Sequence, residues 1–247
     1  MNNNVVEVKN LTKIFKRVTY KPSSLKTQFV GWINKGFRGT KKPTLTVLDD
    51  ISFNVKEGCT FGIMGKNGAG KSTLLKLICG IISPTQGEIM TSGKITPLLE
   101  LGAGFNPELT AMENILINGL MLGMQKETIE LRYDEILEFA ELGNVANEPI
   151  RTFSSGMYIK LAFSIAININ PDIVILDEIM GVGDAHFQQK SRQKIIEFKE
   201  KGKTLIIVSH SPDDIANVCD EAMFLENGKI KEFGDPRKVK NEYIKSV

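Results

Sequence analysis

The chain has 247 residues, 42% of them hydrophobic and 24% charged, a composition that excludes a disordered chain and lets one large or two small domains bury a full core. No apolar run approaches the roughly 18 residues needed to span a bilayer, and the opening M-N-N-N-V-V-E shows neither the basic nor the apolar region of a secretory signal. The net charge of +2 is uneven, because residues 8–48 hold ten Lys or Arg and no Asp or Glu, while the remainder carries 21 basic against 29 acidic residues.

In chain order, residues 5–10 and 47–56 alternate apolar and polar, as strands with one buried face do. Helical patterns are scarce before residue 70, so these strands are expected in an antiparallel patch. Between them, Pro22-Ser23-Ser24 can start a helix, and Leu25, Phe29, Trp32, Ile33 and Phe37 follow at helical spacing. Lys26, Lys35 and Arg38 decorate it, and Gly36, Gly39 and Pro43 end it. This basic insertion, 21–43, reads either as a core-packed helix or as an amphipathic one facing a membrane. The basic block as a whole suits an anionic partner or a solvated face.

Cys59 to Met64 reads as a buried strand and Lys71 to Cys79 as a helix. Thr110 and Glu113 form a capping box ahead of a helix running to about Met121. Ile129 to Leu142 is a second helix, and Met157 to Ile169 a third, ended before Asn170-Pro171. Asp172 to Leu176 and Thr204 to Val208 are short apolar, β-branched runs that suit the centre of a parallel sheet. Met223 to Phe233 reads as a hairpin turning at Asn227-Gly228, and Asp235-Pro236 opens a last helix. The expectation is one domain over 1–247, with an α/β core (1–105 and 170–235) interrupted by a helical block (106–169) and followed by a C-terminal helix (236–247). Cys59, Cys79 and Cys219 are odd in number and lack metal-ligand spacing, so free thiols in a reducing compartment are expected.

The strongest chemical signal is Gly65-Lys66-Asn67-Gly68-Ala69-Gly70-Lys71-Ser72-Thr73. It matches G-x-x-x-x-G-K-[ST] between a predicted strand and a predicted helix. The glycines let the backbone bend so that successive N–H groups point inward at phosphate. Lys71 neutralises the β- and γ-phosphates, Ser72 offers its hydroxyl to Mg²⁺, and Thr73 lies beside the α-phosphate. This places the chain in the α/β class, as a P-loop NTPase with a RecA-like parallel sheet. In Ile173-Val174-Ile175-Leu176-Asp177-Glu178, four apolar residues carry a strand to its C-terminal edge, where ligands bind in open α/β sheets. Asp177 there can hold Mg²⁺ through water, and Glu178 is a candidate general base for the attacking water. A water-activating Glu favours hydrolysis over transfer to an acceptor. In Phe153-Ser154-Ser155-Gly156-Met157, free N–H groups and a hydroxyl stand at a positive helix end, which suits an anion or a simple N-cap. His210 follows the strand ending Val208-Ser209, where an imidazole can hydrogen-bond a γ-phosphate or the attacking water. His186 stands at a helix start and is assigned no role.

The order of these segments, with Gly181-Val182-Gly183-Asp184 between them, resembles an ATP-binding cassette (ABC) transporter ATPase along essentially the whole chain. The resemblance implies an ATPase that works as a head-to-tail dimer. Each ATP would then lie between the P-loop of one copy and the signature segment of the other, with Ser154, Ser155 and Gly156 acting in trans. His210 resembles the switch histidine and Asp184 the D-loop aspartate. Phe15 sits where the family places an aromatic to stack on adenine, with Tyr20 as the alternative. The usual signature L-S-G-G-Q is F-S-S-G-M here. The usual Q-loop glutamine is missing, and the segment L-L-E-L-G-A-G-F-N-P-E-L-T, Leu98 to Thr110, stands in its place, with Glu100 nearest the glutamine position.

These departures and the 21–43 insertion resemble the ATPases of bacterial polysaccharide exporters for O-antigen, capsule or teichoic acid. That resemblance implies separate transmembrane permease subunits, a lipid-linked polysaccharide substrate and a peripheral place on the cytoplasmic face of the cell membrane. Some O-antigen members append a carbohydrate-binding domain, which is not expected in a chain ending at Val247. An importer ATPase for a small solute would keep the glutamine and lack the insertion. A DNA-repair ATPase would carry long heptad insertions, and neither these nor a nucleic-acid recognition module is recognisable, so nucleic acid is not an expected partner.

Overall fold

The computed structural model describes residues 3–16, 44–98, 101–177, 183–209 and 211–246. The insertion at 21–43, together with Tyr20, Glu100, Glu178 and His210, lies outside the described residues.

Two long strands, β1 (Asn4–Lys16) and β2 (Thr44–Lys56), pair antiparallel, and β4 (Gln86–Thr91) joins the other side of β1. This three-stranded sheet is the expected antiparallel patch. A second sheet has the order β5-β6-β7-β3-β8-β9, built from β3 (Thr60–Met64), β5 (Ile95–Pro97), β6 (Ile173–Asp177), β7 (Thr204–Val208), β8 (Glu221–Glu226) and β9 (Lys229–Gly234). Its strands run parallel except β9, which turns back on β8. The hairpin turn is the expected one. Asn227 and Gly228 have φ of 50° and 77°, the left-handed pair that a two-residue turn needs to match strand twist.

The central strands are apolar on both faces because both faces are covered. Phe61, Ile63, Ile173, Ile175, Ile206, Val208, Met223 and Leu225 face the three-stranded sheet and helix α1 (Lys71–Ile78), where they meet Val6, Val8, Leu74 and Leu75. Their odd-even neighbours face the other way, as the two-residue period of a strand requires. Val174, Leu176 and Leu205 pack on Phe163, Phe187, Ile195 and Phe198. The last four residues belong to α5 (Ser155–Ile167) and α6 (Ala185–Glu200). Met64, Ala222 and Phe224 pack on Ile215 of α7 (Pro212–Val218) and Val239 of α8 (Pro236–Ser246). Each such fully buried aliphatic or aromatic side chain contributes roughly 1.5–3 kcal/mol.

A separate apolar cluster joins α2 (Ala111–Met121), α3 (Lys126–Glu130), α4 (Tyr133–Ala140) and α5. The capping box at Thr110 is present in both directions, with the Glu113 N–H donating to the Thr110 hydroxyl and the Thr110 N–H donating to the Glu113 carboxylate at 2.8 Å. The expected single helix over 129–142 is two. Ile129, Ile136, Leu137 and Ala140 keep one helical phase and are all buried, so the sequence reads as continuous. The chain nevertheless breaks at Arg132, whose φ and ψ are −110° and 4°. Its guanidinium donates to the Asn168 carbonyl at the end of α5, and Leu131 is left 87% exposed.

The three cysteines are unpaired. Burial pushes the thiols of Cys59 and Cys79 up to about 11 and that of Cys219 up to about 12. Among the described residues no helix is long and apolar enough to cross a membrane.

Candidate functional site

The P-loop joins β3 to α1, and close packing on both sides sets its path. A Cβ at Gly65 would sit 2.4 Å from the Leu225 carbonyl oxygen on β8. Gly70 has a φ of 107°, and a Cβ there would lie 2.7 Å from Leu48 and 2.9 Å from the Val47 carbonyl oxygen on β2. Neither position can carry a side chain without moving a strand. The β8–β9 turn supports the loop from below, with the Gly228 N–H donating to the Ala69 carbonyl at 3.2 Å and the Asp49 N–H to the Gly228 carbonyl at 2.9 Å. The sequence marked Asn227-Gly228 as a turn, but its role as a prop for the P-loop depends on a long-range contact that no local pattern carries.

Lys71 is buried, and its ammonium donates to the carbonyls of Gly65 at 2.7 Å and Lys66 at 3.2 Å. The loop thereby curls around the cation. Lys66 reaches the other way and donates to the Ser246 carbonyl at the end of α8. Gly70, Lys71, Ser72 and Thr73 form the opening turn of α1, where backbone N–H groups have no intrahelical acceptor and the dipole favours an anion. Asn67 and Gly68 form the exposed crest of the loop.

The register of the sheet assembles the remaining groups. Ile63, Val208 and Asp177 are Cα partners in one row across β3, β7 and β6. The chain leaving this row begins the P-loop on β3, while Ser209 follows on β7. The helix following β3 covers one face of the sheet and the helices following β6 and β7 the other, so this edge is a topological switch point. The Ser72 hydroxyl donates to the Asp177 carboxylate at 3.5 Å. A hydroxyl and a carboxylate at that spacing fit Mg²⁺, which takes hard oxygen ligands and keeps several waters and phosphate oxygens. Among the described residues no cluster of three or more His, Cys, Asp or Glu could form a metal cage.

Phe15 pairs with Leu45 across β1 and β2, its ring is 40% exposed, and the Lys13 ammonium lies 5.0 Å from the ring centre.

The signature segment stands on a different part of the molecule. Ser154 is the N-cap of α5, its hydroxyl accepting from the Met157 N–H at 3.2 Å. Gly156 is not demanded by packing, since a Cβ there would find nothing nearer than the Ser154 hydroxyl at 3.8 Å. Asp184 caps α6, accepting from the Phe187 N–H at 2.9 Å. Ser154, Ser155, Gly156, Lys160 and Asp184 line one open depression of about 500 Å³. The structure thus gathers the signature and the Asp184 loop in one place, and the P-loop, Asp177 and Ser209 in another.

Sequence reasoning passed over Lys160 and Glu141. The Lys160 ammonium lies 2.6 Å from both Glu141 and Asp184 and 5.3 Å from the centre of the Phe187 ring, and Glu141 also pairs with His186 at 2.9 Å. Burial alone would lower the Lys160 ammonium, but its hydrogen bonds to Asp184 and Glu141 raise it. The hydrogen bond from Lys160, helped by the Phe187 N–H, holds the Asp184 carboxyl at about 2. Lys160 also holds Glu141 below the usual carboxylate range, with His186 adding to the effect. The available signal was a lone Lys at the head of the apolar run L-A-F-S-I-A-I.

A phosphate-cradling loop at the switch point of a mostly parallel sheet, with an antiparallel patch on one face, defines a P-loop NTPase. The chain belongs to the ABC transporter family, whose profile matches residues 48–181. It is 41% identical over 243 residues to the O-antigen export system ATP-binding protein RfbB of Klebsiella pneumoniae, covering 98% of each chain. It is 42% identical over 242 residues to the RfbB of Myxococcus xanthus, covering 97% of this chain and 55% of that one. It is 41% identical over 238 residues to the teichoic acids export ATP-binding protein TagH of Enterococcus faecalis, covering 96% of this chain and 52% of that one. The chain therefore spans about half the length of the last two. Among solved structures it is similar to a dimeric ATP-binding cassette in a post-hydrolysis state bound to ADP and Pi, at a TM-score of 0.72 and 25% identity, covering 94% of this chain and 99% of that one.

Proposed function

We propose that the chain is the ATP-hydrolysing subunit of an exporter that moves a lipid-linked polysaccharide of the O-antigen, capsule or teichoic acid type across the cell membrane. The observation that carries the ATPase reading is the cluster at the sheet edge. Lys71 is enclosed by its own loop, and Ser72 stands 3.5 Å from Asp177. Lys71 and the first N–H groups of α1 hold the phosphates, and Ser72 and Asp177 would hold Mg²⁺, which would supply positive charge to offset that of the phosphates. Glu178, next in the chain after Asp177, takes the proton of the attacking water, and His210 orients that water or the γ-phosphate. Phe15 stacks on adenine, and Glu100 stands at the Q-loop position.

The separation of the signature from the P-loop supports a site shared between two copies. One copy supplies the P-loop, and the other supplies Ser154, Ser155 and Gly156, with Asp184 beside them. The named relatives, ATP-binding proteins of O-antigen and teichoic acid export, support polysaccharide export, and on that reading the chain works with separate permease subunits from a peripheral place on the cytoplasmic face. The basic insertion at 21–43 then lies on the membrane side and attracts lipid headgroups or the pyrophosphate of the substrate.

Glu178→Gln tests the ATPase reading. ATP binding stays intact, and turnover falls by roughly 10²–10⁴ fold. Near-normal turnover removes Glu178 from the role of base. Export is tested in cells lacking the chain: lipid-linked glycan accumulates inside and returns to the surface with the wild-type chain but not with Lys71→Ala. Normal surface glycan in its absence refutes the export reading.

A further inference from the structure

Gly156 and Lys160 are four residues apart on α5 and so share one helix face. Lys160 lies behind the signature, in the lining of the depression that Ser154, Gly156 and Asp184 also line. Its side chain is only 12% exposed, so its charge is turned toward the protein, where Glu141 and Asp184 hold it from two sides at 2.6 Å. The two carboxylates come from different elements. Glu141 ends α4 in a left-handed conformation, with a φ of 62°, and Asp184 begins α6. One ammonium therefore joins the end of α4, the second turn of α5 and the start of α6.

Both carboxylates stand beside a surface where an anion is expected. Asp184 has one oxygen on the Phe187 N–H and the other on Lys160. Glu141 has one oxygen on Lys160 and the other on His186. Without Lys160 two negative charges would face the depression with their main counter-charge gone, and a phosphate approaching Gly156 would meet repulsion instead of a helix N-terminus.

We propose that Lys160 is a positioning residue that locks the signature segment to the Asp184 loop and neutralises Glu141 and Asp184, so that each copy presents one rigid, anion-accepting surface to the ATP held by its partner. This rests on the head-to-tail reading given above. Lys160 does not touch the nucleotide of its own chain, so ATP affinity and ATP-dependent dimerisation separate when it is changed.

The test uses the full chain with Mg-ATP. Sedimentation velocity gives the dimer, and ATP binding and melting temperature are read on the monomer. Lys160→Met weakens ATP-dependent dimerisation by about tenfold or more, with monomer ATP affinity unchanged and melting temperature only slightly lowered. Lys160→Arg, which keeps the charge and can fork between two carboxylates, restores dimerisation. Adding Glu141→Gln to Lys160→Met recovers part of the loss, because one of the two exposed charges is gone. Wild-type dimerisation by Lys160→Met overturns the inference alone. So does a joint loss of melting temperature and ATP affinity, since that marks Lys160 as a fold residue, and Lys160→Gln repeats the comparison with a polar side chain. A wild-type chain that stays monomeric with Mg-ATP overturns the head-to-tail reading and the inference with it.

Discussion

At Asp184 one carboxyl oxygen caps a helix and the other receives Lys160, and both contacts favour the charged form. Its carboxyl is held at about 2 against an ordinary 3.8, chiefly by the hydrogen bond from Lys160. A group whose pKa falls on folding adds stability that is present above the unfolded value and is lost as pH drops through the folded one. Asp184→Asn keeps a capping oxygen but loses the charge. Urea unfolding should therefore find the wild type more stable than Asp184→Asn at pH 6, with the gap closing between about pH 4 and pH 2. A gap independent of pH would show that Lys160 does not hold the charged form. The two partners of Lys160 show where single-residue reading stops. Asp184 was legible as a loop aspartate through its place in a known motif order, whereas Glu141 carries no motif and acquires its meaning only when α4 ends beside α5. Gly156 was legible for the opposite reason. Its segment has a recognisable composition, and the structure adds that nothing crowds it.

Elements were legible wherever local rules and tertiary packing agree. The Thr110–Glu113 capping box, the apolar run of β6 and the Asn227-Gly228 turn each satisfy a local requirement that the fold also uses. Thr110→Ala should destabilise the chain by about 1 kcal/mol, the usual worth of an N-cap, seen as a lower urea midpoint with an unchanged slope. The break at Arg132 was not legible, because the apolar phase runs unbroken from Ile129 to Ala140 while the interruption is set by a contact with Asn168, 36 residues away. The Asn227-Gly228 turn carries a second prediction. A Cβ at Gly228 would lie 2.5 Å from the Val47 carbonyl oxygen, at a φ of 77°. Gly228→Ala should therefore disturb both the hairpin and the P-loop it supports, lowering melting temperature and ATP affinity together. Loss of stability with normal ATP affinity would show that the turn does not prop the loop.

Over the whole molecule, the sequence placed the phosphate loop, the strand bearing Asp177 and the signature in the right order, because each is a short segment whose chemistry depends on local spacing. It could not place them in space. The P-loop and Asp177 converge because Ile63, Val208 and Asp177 share one row of the parallel sheet. The signature is carried away from them on a helix packed among α2, α3 and α4. That division within one chain is the physical basis of the central claim, that a complete ATP site needs two copies. The direct measurement mixes two crippled chains in equal amounts and follows their association with Mg-ATP by sedimentation velocity. Lys71→Ala, on the proposed reading, should not hold the phosphates. Gly156→Asp binds ATP but places a carboxylate where the partner's γ-phosphate should meet the start of α5. Neither chain should dimerise alone, and the mixture should form mixed dimers, each with one intact site. A mixture that forms no mixed dimers, while Gly156→Asp homodimers form like those of the wild type, would contradict the shared site.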